Sequence, residues 1–140
     1  MSSVSQRWKG TPMPFKKITV IGAGTMGRWI AETAAARGIE TCVVEVNPAQ
    51  RLGAEAQIRA SVERGIKRGK IAASGADEVL ARIRFEGEIT AAGTAEFVIE
   101  AVSENEPLKV DLFRQLDKLC AVPVTTRNWN TIQLIVKALV

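Results

Sequence analysis

The stretch VIGAGTMGRWIAE, from Val20 to Glu32, decides the fold. It holds Gly22, Gly24 and Gly27 in the spacing G-x-G-x-x-G. The β-branched run from Lys17 to Gly22 precedes these glycines, and an alanine-rich helical pattern follows them. A strand, a glycine loop and a helix in this order are typical of a turn that holds a dinucleotide pyrophosphate at a helix N-terminus. A purely structural glycine turn is the alternative, because the motif has low specificity by itself.

Strands and helices alternate along the rest of the chain. Buried strands appear as short, β-branched apolar runs, and the helices repeat apolar residues every three or four positions. This alternation predicts an α/β fold, a Rossmann-like doubly wound and mostly parallel sheet with flanking helices. The predicted strands cover 17–22, 41–46, 83–89 and 95–102, and the predicted helices cover about 26–37, 48–70 and 75–83, with a further helix from 103.

The composition narrows the classes of protein that the chain can belong to. Its 140 residues, 46% hydrophobic and 24% charged, suit one soluble globular domain. No apolar run approaches the roughly 18 residues of a membrane span, so we expect no membrane partner. Cys42 and Cys120 form no C-x-x-C pair, which favours reduced core thiols and a cytoplasmic location.

The residue types argue against nucleic-acid binding and against histidine-based catalysis or metal binding. The net charge of +4 is compatible with nucleic acid, but no aromatic residues alternate with the basic ones, so a phosphorylated metabolite fits better. The chain contains no histidine, which removes the commonest general base and the commonest metal ligand. We therefore assign no catalytic residue and no metal site.

Glu45 ends the second predicted strand, about 20 positions after the glycine loop. A carboxylate at this place accepts hydrogen bonds from both ribose hydroxyls of an adenosine and repels a 2′-phosphate. NAD is therefore preferred over NADP, and FAD is possible on the same logic. An exposed acid at a strand end is the alternative interpretation.

Two further groups of charged residues could contact ligands. Glu104 and Lys109 stand at the start of the helix from 103, where an acid also complements the helix dipole and a lysine is ordinarily solvated. The predicted helix over 48–70 carries a basic set that could receive an anion, such as a phosphate of coenzyme A, or could simply be a solvated face. This basic set comprises Arg59, Arg64, Lys67, Arg68 and Lys70.

Two long stretches identify a family resemblance. The chain resembles the NAD-binding domain of the 3-hydroxyacyl-CoA dehydrogenases over the stretches ITVIGAGTMGRWIAETAAARGIETCVVEVNPA and FVIEAVSENEPLKVDLFRQLDKLC. The resemblance runs from about Lys16 to Cys120. Its second motif, E-A-V-x-E-N-x-x-x-K at a strand-to-helix junction, is more specific than the glycine loop.

The resemblance implies an oxidoreductase of fatty acid metabolism and β-oxidation, in which hydride passes from C3 of a 3-hydroxyacyl-CoA to NAD. It implies that Glu45 holds the adenosine ribose, that Glu104 and Lys109 also contact NAD, and that Ser61 and Arg68 (or Lys67) contact coenzyme A. The NAD pyrophosphate would lie on the loop residues Gly22, Ala23, Gly24, Thr25, Met26 and Gly27.

The carboxyl-terminal part departs from the family pattern. Where the family has an N-T-S-S loop, a histidine paired with glutamate and then a helical substrate domain, this sequence has AVPVTTRNWNTIQLIVKALV. We therefore assign residues 1–13 to a disordered arm, 14–125 to an NAD-binding Rossmann domain and 126–140 to an atypical tail. The sheet is expected to be incomplete on this side, as in a truncated or frame-shifted product.

Those departures leave a second function open. The chain is expected to be inactive alone, and it is alternatively a non-catalytic dinucleotide-binding remnant, or a half that joins a partner chain supplying the helical substrate domain. A bare sheet edge after Thr125 would favour poor solubility or a homodimer unless 131–139 covers it. Trp29 also departs from the family, which has a small residue there, so its indole must face solvent or displace a neighbour.

Overall fold

The computed structural model describes residues 16–69 and 75–101, five positions of a helix between 111 and 118, and the backbone of 124–126. The predicted arm, the residues Glu104 and Lys109 and the tail from 127 onward lie outside the described residues. The described elements are the strands β1 (Lys17–Ile21), β2 (Glu40–Val44), β3 (Ile83–Glu86), β4 (Phe97–Glu100) and β5 (Val124–Thr126), the helices α1 (Thr25–Ala36), α2 (Pro48–Lys67) and α3 (Ala76–Ala81), and a 3₁₀ helix (Ile89–Thr94).

All the described strands belong to one parallel sheet with the order β3-β2-β1-β4-β5. The chain moves outward from β1 through β2 to β3, and then crosses back to place β4 on the other side of β1. The connections after β1 and β4 therefore leave the sheet in opposite directions. This reversal opens a crevice at the carboxyl ends of β1 and β4, where doubly wound sheets bind their ligands. The predicted Rossmann-like fold is confirmed.

The buried side chains fall on two faces of the sheet, because successive strand residues point in opposite directions. Val20 and Ile99 pack under α1, and the neighbouring Val43 packs under α1 and α2. On the opposite face, Ile21 and Val98 pack against the 3₁₀ helix. Because apolar residues are buried on both faces, the strands read as continuous apolar runs in the sequence.

The predicted strands are longer than the observed ones because the chain turns early at their carboxyl ends. β2 ends at Val44, and the next apolar residue, Val46, is 72% exposed. The side chain of Asn47 accepts hydrogen bonds from the N–H groups of Ala49 and Gln50 and so starts α2. The strand predicted over 83–89 stops at Glu86, and that predicted over 95–102 covers 97–100.

No helix in the described part of the chain is long and apolar enough to cross a membrane.

Candidate cofactor site

The glycine loop makes a sharp turn between β1 and α1. Gly22 has a φ of +104°, a conformation that favours glycine, and its N–H donates to the Val44 carbonyl oxygen at 2.8 Å. A Cβ atom on Gly27 would collide with the carbonyl oxygen of Gly22. A Cβ on Gly24 would meet no heavy atom within 4 Å, so the loop backbone is open to the outside there. The loop therefore brings α1 close to β1 and leaves room above Gly24.

The N-terminus of α1 offers backbone donors to a ligand. The first intrahelical bond runs from the Arg28 N–H to the Gly24 carbonyl oxygen at 3.0 Å, so the N–H groups before it have no partner within the helix. Gly24 supplies no side-chain cap, and no acidic residue stands in the first turn of α1. The Arg28 guanidinium braces the loop by donating to the Ala23 carbonyl oxygen at 3.1 Å. This arrangement suits a pyrophosphate.

Glu45 lies directly after β2 with its carboxylate beside the glycine loop. One carboxylate oxygen accepts from the Ala23 N–H at 3.3 Å, and the other accepts from the Asn47 N–H at 3.1 Å. The side chain is half-buried, and each carboxylate oxygen can accept a further hydrogen bond. The strand end thus holds a negative charge next to the loop, where ribose hydroxyls could donate to it.

Glu100 is a buried acid at the same edge of the sheet as the glycine loop, and no role for it was predicted from the sequence. It ends β4 opposite Ile21 of β1 and is completely buried. Glu100 is the first residue of the motif E-A-V-x-E-N. A carboxylate inside the apolar run FVIEAV is the sequence signal that could have drawn attention to it. The backbone of Glu100 lies at the carboxyl end of β4, beside the point where β1 and β4 meet the crevice.

Ser61 and Trp29 lie along a groove of about 350 Å³ between α1 and α2. The Ser61 hydroxyl donates to the Glu32 carboxylate at 2.8 Å across this groove, and Arg64 also lines it. Trp29 is 44% exposed, so its indole faces outward and leaves the buried side of α1 undisturbed. Arg68 caps the end of α2 and is exposed, and it does not line the groove beside Ser61.

Cys42 is a buried free thiol in β2, as predicted for a core cysteine. Burial raises the pKa of the Cys42 thiol, while a hydrogen bond with Arg84 opposes that change. A cavity of about 440 Å³ beside it is lined by residues such as Lys17 and Glu40, which start β1 and β2. It therefore lies at the amino ends of the strands, on the opposite edge of the sheet from the glycine loop.

The strand order, the glycine turn and the placement of Glu45 define a dinucleotide-binding domain of the Rossmann class. The family model of the 3-hydroxyacyl-CoA dehydrogenase NAD binding domain matches residues 17–138. The chain belongs to this family, and NAD is the cofactor of its domain. The resemblance predicted from the sequence is thereby confirmed.

Relatives and solved structures agree with this assignment. A probable 3-hydroxybutyryl-CoA dehydrogenase of Bacillus subtilis is 34% identical over 87% of this chain and 42% of its own length. The 3-hydroxyadipyl-CoA dehydrogenase of Escherichia coli is 34% identical over 87% of this chain and 26% of its own. The crystal structure of the Ralstonia eutropha (S)-3-hydroxybutyryl-CoA dehydrogenase is 30% identical with a TM-score of 0.76, over 80% of this chain and 40% of its own. The chain thus spans less than half the length of these relatives.

Proposed function

We propose that this chain is the cofactor-binding part of an NAD-dependent dehydrogenase that oxidises the C3 hydroxyl of a 3-hydroxyacyl-CoA. NAD, when bound, supplies the acceptor for the hydride that leaves C3. The observation that carries the proposal is the Glu45 carboxylate held beside an open glycine loop. The names of the relatives support the choice of substrate class.

The residues of this chain would bind and orient the cofactor. The unpartnered N–H groups at the start of α1 would donate to the pyrophosphate, and Gly24 would let it approach the backbone. Glu45 would accept from the adenosine ribose hydroxyls, and its charge would repel a 2′-phosphate. The predicted cofactor contacts of Ala23, Thr25 and Met26 rest on the same loop. The predicted contacts of Glu104 and Lys109 would extend the site beyond it.

The acyl-CoA would contact the surface of the domain formed by α1 and α2. Ser61 faces a groove that also holds Arg64 and the exposed Trp29. The hydroxyl and the guanidinium would suit a nucleotide phosphate, and the indole would suit a stacked base. Arg68 would add a positive charge at the end of α2. The cytoplasmic location, and a homodimer or a partner chain carrying the substrate domain, belong to the same proposal.

A second candidate function is dinucleotide binding without turnover. The absence of histidine from the 140 residues favours it, because this chain then lacks the usual base for the proton of the 3-hydroxyl. The two candidates make the same prediction for NAD binding and differ in catalysis.

Titration of the purified chain with NADH, followed by nucleotide fluorescence, tests both candidates. We expect NADH to bind, and Glu45→Ala to weaken its binding about tenfold, the effect of roughly 1.4 kcal/mol. Glu55→Ala, on the exposed side of α2, is the matched control and should leave the affinity unchanged. Reduction of acetoacetyl-CoA by the chain alone would establish catalysis and reject the second candidate. An unchanged affinity in Glu45→Ala would reject the assigned cofactor site.

A further inference from the structure

Arg51 ties the start of α2 to the end of β2. Its backbone N–H donates to the Asn47 carbonyl oxygen at 2.9 Å, which places it in the opening turn of the helix. Its guanidinium Nη1 donates to the main-chain carbonyl oxygen of Glu45 at 2.8 Å. The Arg51 side chain is half-buried, whereas the next residue, Leu52, is 69% exposed. Arg51 therefore turns back from the helix toward the strand end.

Gly87, which follows β3, makes room for this guanidinium. A Cβ atom on Gly87 would lie 2.5 Å from Arg51 Nη1 and 3.2 Å from its Cζ. Gly87 does not have a positive φ, unlike Gly22, so its backbone conformation does not require glycine. A side chain at position 87 would therefore have to displace the guanidinium end of Arg51 from its place beside Glu45.

These contacts hold Glu45 from both its main chain and its side chain. Its N–H donates to the Glu86 carbonyl oxygen at 2.9 Å, and its carbonyl oxygen accepts from Arg51. Its carboxylate accepts from the N–H groups of Ala23 and Asn47. Loss of the Arg51 bond would free the peptide between Glu45 and Val46, and the carboxylate would then lose its fixed position beside the glycine loop.

We propose that Arg51 is a positioning residue for the adenosine half of NAD, acting through Glu45, and that the absence of a side chain at Gly87 leaves room for its guanidinium. The inference rests on the proposed contact between Glu45 and the ribose. Arg51 preorganises that contact, so ribose hydroxyls meet a carboxylate already in place and less ordering is needed on binding.

A double-mutant cycle, in which the NADH affinity of each variant is measured, tests the inference. The melting temperature of each ligand-free variant shows whether it folds. We expect Arg51→Ala to weaken NADH several-fold, and Arg51→Ala to add no further loss in a Glu45→Ala background. Arg51→Lys keeps the charge and can donate one bond to the carbonyl oxygen, so it should recover part of the affinity. Glu63→Ala, which removes an exposed charged side chain from the same helix, is the control and should bind like the unaltered chain.

Gly87→Ala provides a second test that leaves the charge of Arg51 in place. The added methyl group should displace the guanidinium and weaken NADH as Arg51→Ala does, and it should have no effect in the Arg51→Ala background. This variant and Arg51→Lys decide the question if Arg51→Ala does not fold.

The outcomes separate the inference from the function on which it rests. If Glu45→Ala leaves NADH binding unchanged, the ribose contact itself is wrong and the role of Arg51 is rejected with it. If Glu45→Ala weakens NADH while Arg51→Ala, or Gly87→Ala where Arg51→Ala does not fold, leaves it unchanged, the ribose contact stands and the positioning role is rejected. If the losses from Arg51→Ala and Glu45→Ala add fully, Arg51 attracts the cofactor by charge, which also overturns the positioning role.

Discussion

Gly27 packs against the carbonyl group of Gly22, so a Cβ atom added at position 27 would collide with that carbonyl oxygen. The partner is main chain rather than the end of a flexible side chain, so relief requires α1 and β1 to move apart. The contact therefore fixes the height of the α1 N-terminus above the sheet, and with it the position of the donors proposed for the pyrophosphate.

Gly27→Ala should destabilise the fold and weaken NADH together. Overpacking costs about 1–3 kcal/mol, and a collision with main chain lies toward the upper end of that range, above the roughly 1 kcal/mol that alanine gains over glycine inside a helix. Denaturant unfolding and NADH titration measure the two effects. Gly53→Ala is the matched control within α2, where an added Cβ meets nothing within 4 Å. It should raise the free energy of unfolding by about 0.5–1 kcal/mol, and equal stability of the two variants would contradict the packing argument.

Glu45→Gln should lower the preference of the site for NADH over NADPH. The amide keeps the size of the side chain and one acceptor oxygen, but it loses the negative charge that repels a 2′-phosphate. We expect the NADH affinity to fall several-fold and the NADPH affinity to hold or rise. The ratio of the two dissociation constants, measured by fluorescence titration at one salt concentration, is the test. An unchanged ratio would show that the carboxylate does not discriminate at the 2′ position.

The glycine turn and Glu45 could be predicted because their signals are local. The three glycines and the strand end are read directly from neighbouring residues, and the alternation of strands and helices predicted the parallel sheet. The strand ends were placed too late, as at Val46, because an apolar residue can lie in a turn that a helix cap imposes. The periodicity of apolar residues does not show where a helix cap ends the preceding strand.

The contact between Arg51 and Gly87 could not be predicted because it depends on the sheet order. The two residues meet because β2 and β3 are neighbours in the sheet, a pairing that the sequence pattern left open. One signal was present. A cation near the N-terminus of a helix is electrostatically unfavourable, so an arginine there indicates a compensating partner. The bond between Ser61 and Glu32 likewise joins two helices that only the fold brings side by side.

Ser61→Ala should weaken binding of free coenzyme A if the groove between α1 and α2 takes the nucleotide end of the substrate. The same change removes the hydrogen bond to Glu32, and we expect a stability loss of about 1 kcal/mol because the bond is only partly buried. Calorimetric titration with coenzyme A, compared with Glu32→Ala, separates the effects. Both variants should lose stability, but a loss of coenzyme A affinity in Ser61→Ala alone indicates direct contact. Unchanged affinity in Ser61→Ala would remove this residue from the substrate site.

Cys42 should make the stability of the fold depend on pH in the alkaline range. Burial raises the pKa of its thiol above the ordinary value of 9.0, so the unfolded chain loses this proton at a lower pH than the folded chain. The contribution of the neutral thiol is therefore fully present below the unfolded pKa and declines as the pH rises through the folded pKa. Cys42→Val keeps an apolar side chain of similar size without a titrating group. We expect the variant to lose less stability than the unaltered chain between about pH 8 and 10, in denaturant unfolding with a reducing agent present. Parallel pH curves for the two proteins would mean that Cys42 titrates alike in the folded and unfolded states.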